Sequence, residues 1–164
     1  MKKAASVFLC PNVYTSDVEH LIQWMKNPRV TQYLNEFPGT ADSLERLLWN
    51  VPEPMLHYHF NRQGHFYFIR LENKEPIGFV TLHRQSSSNL YEIVYAIGDD
   101  TLWGHGFGEA VLRAAIQTVF LHWRGRGIVA KIRPMNERSL RLAAACGFQC
   151  DATNDHLVYM RLQA

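Results

Sequence analysis

Apolar residues recur along this chain with two different periods. Near the start, Val7 to Cys10 reads as a short strand. Val18, Leu21, Ile22 and Met25 then fall three and four apart, the spacing of one helix face. Thr15 or Ser16 opens that helix, with Glu19 three residues after Ser16 as in a capping box, and Asn27-Pro28 stops it. A second short helix holds Val30, Tyr33 and Leu34. Phe37-Pro38-Gly39 breaks the chain, and Thr40 or Asp42 starts a third helix through Leu44, Leu47 and Leu48. Val51 to Arg62, with Pro52, Pro54 and many aromatics, reads as loop or irregular edge structure.

From His65 the period shortens. His65 to Leu71, Ile77 to His83 and Tyr91 to Ile97 are strand-like, separated by polar turns at 73–76 and 85–89. Phe107 to Trp123 is helical, with Phe107, Ala110, Val111, Ala114, Thr118 and Leu121 on one face and the pair Glu109, Arg113 on the other. Ile128 to Ile132 is a strand. Asn136 to Cys146 is a helix capped by Asn136 and closed by Gly147, and Phe148 to Cys150 and His156 to Leu162 finish as strands. Strands interleaved with helices in this order predict a mixed α/β chain with one central sheet.

The chain has 164 residues, enough for one domain with its own core, and neither a repeat nor a linker divides it. Charged residues are 20% and hydrophobic ones 47%, which excludes disordered and low-complexity chains. The formal charge of +2 is too balanced for a nucleic-acid surface, and Arg124-Gly125-Arg126 reads as a solvated helix end. Cys10, Cys146 and Cys150 cannot all pair, so reduced thiols and a cytoplasmic location are expected. Met1 to Cys10 imitates a signal peptide, but a first strand explains it better, and no apolar run is long enough to span a bilayer. His57 and His59 lack a carboxylate nearby in sequence, so no metal site is expected. Trp24, Trp49, Tyr58, Phe60 and Phe66 belong to the core or to the wall of a cleft.

The segment richest in chemistry is Trp103-Gly104-His105-Gly106-Phe107-Gly108-Glu109, between a strand and a long helix. Glycines there permit positive φ, and the first N–H groups of a helix are unpaired and sit at the positive end of its dipole. Such a turn suits a phosphate or diphosphate, or is a plain connector. A dinucleotide fingerprint fails because the sixth position from Gly104 is Glu109, and no P-loop Gly-Lys-Ser/Thr occurs.

This segment resembles the signature of the GNAT acyl-CoA N-acyltransferases: Arg or Gln, two residues, Gly, one residue, then Gly or Ala. Gly106 and Gly108 fit, and Trp103 replaces the Arg or Gln. The Trp-Gly-x-Gly form is similar to the branch that acetylates N-termini of ribosomal proteins, as, more weakly, are Trp24-Met25-Lys26-Asn27-Pro28 and Tyr33-Leu34. Glu92 to Ile97 resembles the family's fourth strand, and Asn136-Glu137-Arg138-Ser139 followed by Cys146-Gly147-Phe148 its later motif. The resemblance implies a single domain over 1–164. Its fold would be a twisted, mostly antiparallel sheet with a splayed parallel strand pair and flanking helices. Residues 6–66 would form the acceptor half and 77–150 the acetyl-CoA half. The implied activity is transfer of an acetyl group from acetyl-CoA to a primary amine by direct attack in a ternary complex, without metal, nucleic acid or membrane, in a monomer or homodimer.

The resemblance also distributes roles. Backbone N–H groups from His105 to Glu109 would hold the diphosphate, within a cofactor set of Ile97, Trp103, Gly104, His105, Gly106, Phe107, Gly108, Glu109, Asn136 and Ser139. The pantetheine arm would add like a strand along the edge near Ala96 and Ile97. Arg138 or Arg141 would meet the adenosine phosphate. Ala96 N–H would polarise the thioester carbonyl. Glu92 is the candidate base, because an ammonium must lose a proton before it attacks; facing solvent or fixing a neighbour is its other reading. Many family members place a Tyr seven residues after the Asn to protonate the departing thiolate. Here that position is Ala143, leaving Ser139, Tyr159 or a water, or an unassisted thiolate. The competing readings are a non-catalytic acyl-CoA-binding or sensing module and an interaction module that has lost the cofactor.

Overall fold

The computed structural model describes residues 6–34, 39–72, 75–85 and 88–164. Seven strands form one sheet in the order β1-β2-β3-β4-β5-β7-β6. These are β1 (Phe8–Cys10), β2 (His65–Arg70), β3 (Pro76–Gln85), β4 (Leu90–Ile97), β5 (Gly127–Ile132), β6 (Gln149–Thr153) and β7 (Val158–Gln163). Every neighbouring pair is antiparallel except β4 with β5. The expected mixed α/β fold, with its single parallel pair, is the observed one.

The helices divide between the two faces of the sheet. On one face α1 (Thr15–Lys26), α2 (Pro28–Thr31), α3 (Thr40–Asn50) and α4 (Glu53–Phe60) cover a core of Val18, Leu21, Leu56, Phe66, Phe68 and Phe79. On the other, α5 (Phe107–Gln117) and α6 (Glu137–Ala145) cover Val80, Leu82, Ile93, Val111, Leu112 and Ile128. Successive side chains of a strand point to opposite faces. In β4, Ile93, Tyr95 and Ile97 therefore join the α5/α6 core, while Val94 and Ala96 join the α1–α4 core. Trp103 packs against both cores.

Several expectations shift. The cap of α1 is Tyr14, and its N–H donates to Asp17 Oδ2 at 3.0 Å, so Asp17 takes the reciprocal place expected of Glu19. Asp17 is buried and also binds Arg70 on β2, which ties the helix start to the sheet. Residues 53–60, expected as loop, form α4. Its prolines occupy the cap and first turn, where a missing N–H leaves no helical bond unmade. In α5 the buried stripe is Val111, Leu112 and Ala115, continued by Val119 in the turn that follows, where Leu121 is 70% exposed. A helix apolar on nearly every side carries no unique stripe, and here the last turn widens over Thr118–His122, where Trp123 N–H reaches back to Thr118 O. The breaks expected at Phe37-Pro38, Asn73-Lys74 and 86–87 lie outside the described residues. Among the described residues no helix is long and apolar enough to cross a membrane, and Cys10, Cys146 and Cys150 are free thiols.

Candidate active site

The parallel pairing of β4 with β5 runs from Leu90↔Gly127 to Ile93↔Ala130 and stops there. Beyond it β4 continues to Ile97 beside β3, and β5 continues to Ile132 beside β7. The two strands therefore part, and a cavity of about 690 Å³ opens in the fork and reaches the start of α5.

The register assigns the backbone groups of this fork. Gly98 N–H donates to Ile77 O at 2.8 Å, continuing the β3–β4 register in which Phe79 faces Ala96 and Thr81 faces Val94. In an antiparallel ladder alternate residues turn both backbone groups to the same neighbour. Ala96 N–H thus points toward Phe79 and away from the fork, so the placement corrects the role expected of it. The amides that face the open edge are those of Tyr95 and Ile97. Ile97 O accepts a hydrogen bond from Trp103 Nε1 at 2.8 Å.

Past Trp103, Gly104 and Gly106 have φ of +82° and +87°, a region that disfavours any side chain, and a Cβ at either would meet nothing within 4 Å. Gly106 is the cap of α5 and offers no side chain to the helix start. Ala110 is the first to donate into the helix, to Gly106 O at 3.1 Å. The N–H groups of Phe107, Gly108 and Glu109 are left without helical partners. The turn is thus both open and electropositive.

Most of the expected cofactor set meets here. Ile97, Trp103, Gly104, Gly106, Phe107, Gly108, Glu109, Asn136 and Ser139 all line the cavity. His105 is exposed and does not line it. Asn136 caps α6 by accepting from Ser139 N–H at 3.3 Å, which fixes the start of that helix against the fork. Arg138 and Arg141 line the cavity as well. Arg138 lies 4.6 Å above the Trp103 ring, and Arg29 of α2 lies 5.3 Å from it. Both contacts are in the cation–π range, and together they bridge the walls of the fork. Arg29 is also held by Asp100 at 3.1 Å. Arg133, beyond β5, donates to Gln32 O at 3.1 Å and Leu34 O at 3.2 Å and so anchors the turn after α2 beside the cavity.

Glu92 stands below the fork, in the paired part of β4, and does not line the cavity. Its carboxylate accepts from Gln85 Nε2 at 2.9 Å and pairs with Lys131 Nζ at 3.4 Å. Lys131 does line the cavity, as the first β5 residue past the last paired position. Ala143 is 2% exposed in the cavity wall. Tyr159, on β7 opposite Lys131, does not reach the cavity. The tyrosine that does is Tyr95, a residue that pattern reading passed over because it looked like one more core position. Burial, the largest effect, pushes its phenol far above the usual range, and the Cys146 sulfur adds to this. A hydrogen bond with Ser139 and the charge of Arg138 pull part of the way back. Tyr95 is therefore a neutral phenol at working pH, set against the Ser139 hydroxyl.

The other candidates separate. Trp24 and Phe66 are buried core, Phe60 packs against that core, and Trp49 and Tyr58 are 89% and 65% exposed, so none of the five lines the fork cavity. His57 and His59 lie two apart on α4, a spacing that turns them to different sides, and His57 Nδ1 meets Pro11 O at 2.8 Å. Among the described residues no group of three or more His, Cys, Asp or Glu could hold a metal ion.

Comparison with known proteins agrees with this geometry. The acetyltransferase (GNAT) domain family matches residues 11–149. The chain is 30% identical over 135 residues to the uncharacterized N-acetyltransferase p20 of Bacillus licheniformis, covering 81% of this chain and 74% of that protein. A GNAT-family acetyltransferase from Bacillus anthracis superposes with a TM-score of 0.77 at 15% identity, over 98% of this chain and 96% of that one. Spermidine N-acetyltransferase from Vibrio cholerae, in complex with CoA and spermine, superposes with a TM-score of 0.77 at 19% identity, over 96% and 95%. A forked sheet opening onto an uncapped, glycine-led helix is thus found in a chain whose sequence matches one family over most of its length: the protein belongs to the GNAT acetyltransferases.

Proposed function

We propose that the protein moves the acetyl group of acetyl-CoA to a primary amine by direct attack within a ternary complex. The observation that carries this reading is the fork between β4 and β5, whose cavity runs without interruption to the unpaired amides at the start of α5. An extended pantetheine arm fits the edge offered by Tyr95 and Ile97, and a diphosphate fits the amides of Phe107, Gly108 and Glu109. Arg138 and Arg141 are the cations within reach of the remaining phosphate. Residues 77–150 supply these groups, and residues 6–66 supply the acceptor wall through Arg29 to Leu34.

The thioester brings an activated acetyl carbon to the mouth of the fork, and the chain's own groups do the rest. Glu92 stands behind Lys131 and does not line the cavity, so the acceptor ammonium gives up its proton to it through water. The acceptor nitrogen then forms the amide bond as the carbon–sulfur bond breaks, and the second proton that the nitrogen sheds goes to the departing sulfur to give the free CoA thiol. The Tyr95 or Ile97 amide is the donor placed for the developing oxyanion. With Ala143 at the position where many family members carry a tyrosine, the Ser139 hydroxyl, hydrogen-bonded to the neutral Tyr95 phenol, takes over donation to the departing sulfur in this reading. The Trp103-Gly104 form of the loop relates the acceptor to a protein α-amine, and the relative named for spermidine relates it to a small amine.

The test is free-thiol release on mixing the protein, acetyl-CoA and a panel of amines. Amine-dependent release confirms transfer. Tight CoA binding with no release on any amine would establish a sensing module instead. Indifference of thermal stability to millimolar acetyl-CoA would leave an interaction module.

A further inference from the structure

The cavity passes through the fork from one face of the sheet to the other. At the cofactor end it is lined by Gly106, Phe107 and Asn136, and beyond the fork by Val94, Ala96, Val30 and Leu34. The last four all belong to the core under α1–α4, so they stand on the side of the sheet away from α5 and α6. Tyr33, next to Leu34, lines the cavity too and is 38% exposed.

This wall is gripped from the other half of the molecule. β5 ends at Ile132, and the chain turns into α6 through Arg133-Pro134-Met135-Asn136. Asn136 N–H donates to Arg133 O at 2.9 Å, and Pro134 takes the second place of the turn, which its fixed φ suits. Arg133 thus projects from a stiff base. Its Nη1 donates to Gln32 O at 3.1 Å and its Nη2 to Leu34 O at 3.2 Å. Gln32 closes α2, and the last carbonyls of a helix lack donors within it. The two gripped carbonyls lie one on each side of Tyr33. Arg133 itself does not line the cavity.

Resting on the transferase reading above, we propose that Arg133 is a positioning residue for the acceptor. The part of the acceptor next to its amine lies on Tyr33, and Arg133 acts through Tyr33 by holding its backbone on both sides. A guanidinium suits this task because its donors form a rigid planar fork that reaches two carbonyls at once, whereas the lysine ammonium is a single point on a flexible stem. The grip lies on the far side of the fork from the α5 amides, so its loss falls on the acceptor and spares the cofactor.

The full-length protein is assayed by thiol release at saturating acetyl-CoA with tyramine, phenylalaninamide, spermidine and trialanine, and the amine used best serves as acceptor for the variants. Arg133→Gln is expected to raise the KM of that amine about tenfold with kcat held within about twofold, the mark of lost binding shared by ground and transition states. CoA binding, followed by calorimetry, is expected to be unchanged. Tyr33→Ala is expected to raise the same KM, and the double variant to show less than the product of the two single effects, since one residue acts through the other. Arg133→Lys is expected to recover only part of the loss. An unchanged KM in either single variant, effects that multiply in the double variant, or full recovery with lysine overturns the proposal while leaving amine acetylation standing. A loss of CoA affinity as large as the rise in KM assigns Arg133 to the fold as a whole and overturns it too. CoA binding with no amine turned over removes the transferase reading and this proposal together.

Discussion

Gly106 shows how one residue decides the site. Its φ of +87° sets the turn into α5, and its missing side chain keeps the amides of Phe107 to Glu109 open. Gly106→Asp places a carboxylate where the diphosphate is proposed to lie and forces a non-glycine residue into the left-handed region, at a cost of about 1–2 kcal/mol. The expected outcome is loss of CoA binding by calorimetry, at least 100-fold, with a folded protein by circular dichroism. Glu92 is the second residue with a sharp expectation. An ammonium is less often neutral at pH 7 than at pH 9, so a base matters more at the lower value. Glu92→Gln should therefore reduce turnover more at pH 7. An equal reduction at both values would make Glu92 a positioning group for Lys131. Gly106 was legible from sequence because only glycine suits such a turn. Ala96 was misplaced because which amides face a fork depends on pairing register, and no residue type encodes that.

At the scale of elements, the buried Asp17–Arg70 pair joins the start of α1 to β2. Asp17 is 1% exposed and also caps the helix through Tyr14 N–H. Removing one partner of such a pair leaves the other uncompensated. Asp17→Ala is expected to lower stability by about 3 kcal/mol in urea titrations, with CoA affinity in the folded protein unchanged because the pair lies away from the fork. The long elements β2 to β4, α5 and α6 were legible, since their apolar periods run over many residues. The start of α4 was not. Pro52 and Pro54 look like breakers until the helix is known to begin there. Ser16 and Glu19 imitate a capping box one residue and more inside the true start, because Asp17 gains burial and Arg70 by beginning the helix at Tyr14.

For the whole molecule, ligand linkage and pH give two expectations. Acetyl-CoA at 100 times its dissociation constant should add about 2.7 kcal/mol of stability, about 5–10 °C in Tm for a chain of this size. On the acid side His65 matters. Partial burial, and next the charge of His83, hold its imidazole below the usual histidine range, and its ring lies tilted against Trp123 with the centroids 4.2 Å apart. The folded state thus prefers the neutral ring. That contribution is complete above about pH 6.5 and is lost as the pH falls toward the depressed value. Between pH 7 and 5 the stability of the protein should fall more steeply than that of His65→Phe, compared by urea denaturation. The opposite behaviour is expected of His20: burial pushes it down, but the Ser16 carbonyl and Glu75 outweigh this and raise it. Both proteins carry His20, so its effect cancels in the comparison.

The sequence by itself determined the class of fold, the glycine turn before α5 and the cap at Asn136, because each is written in local periodicity or in the backbone preferences of single residues. Tertiary structure decided everything that depends on which strands lie side by side. It ended the β4–β5 pairing at Ile93 and Ala130, turned the Tyr95 and Ile97 amides into the gap, set Tyr95 against Ser139, and brought Lys131 up to Glu92 across 39 positions of chain. Those contacts arise from register and sheet order, which are settled by burial of whole faces and leave no mark on the neighbouring residues in the sequence.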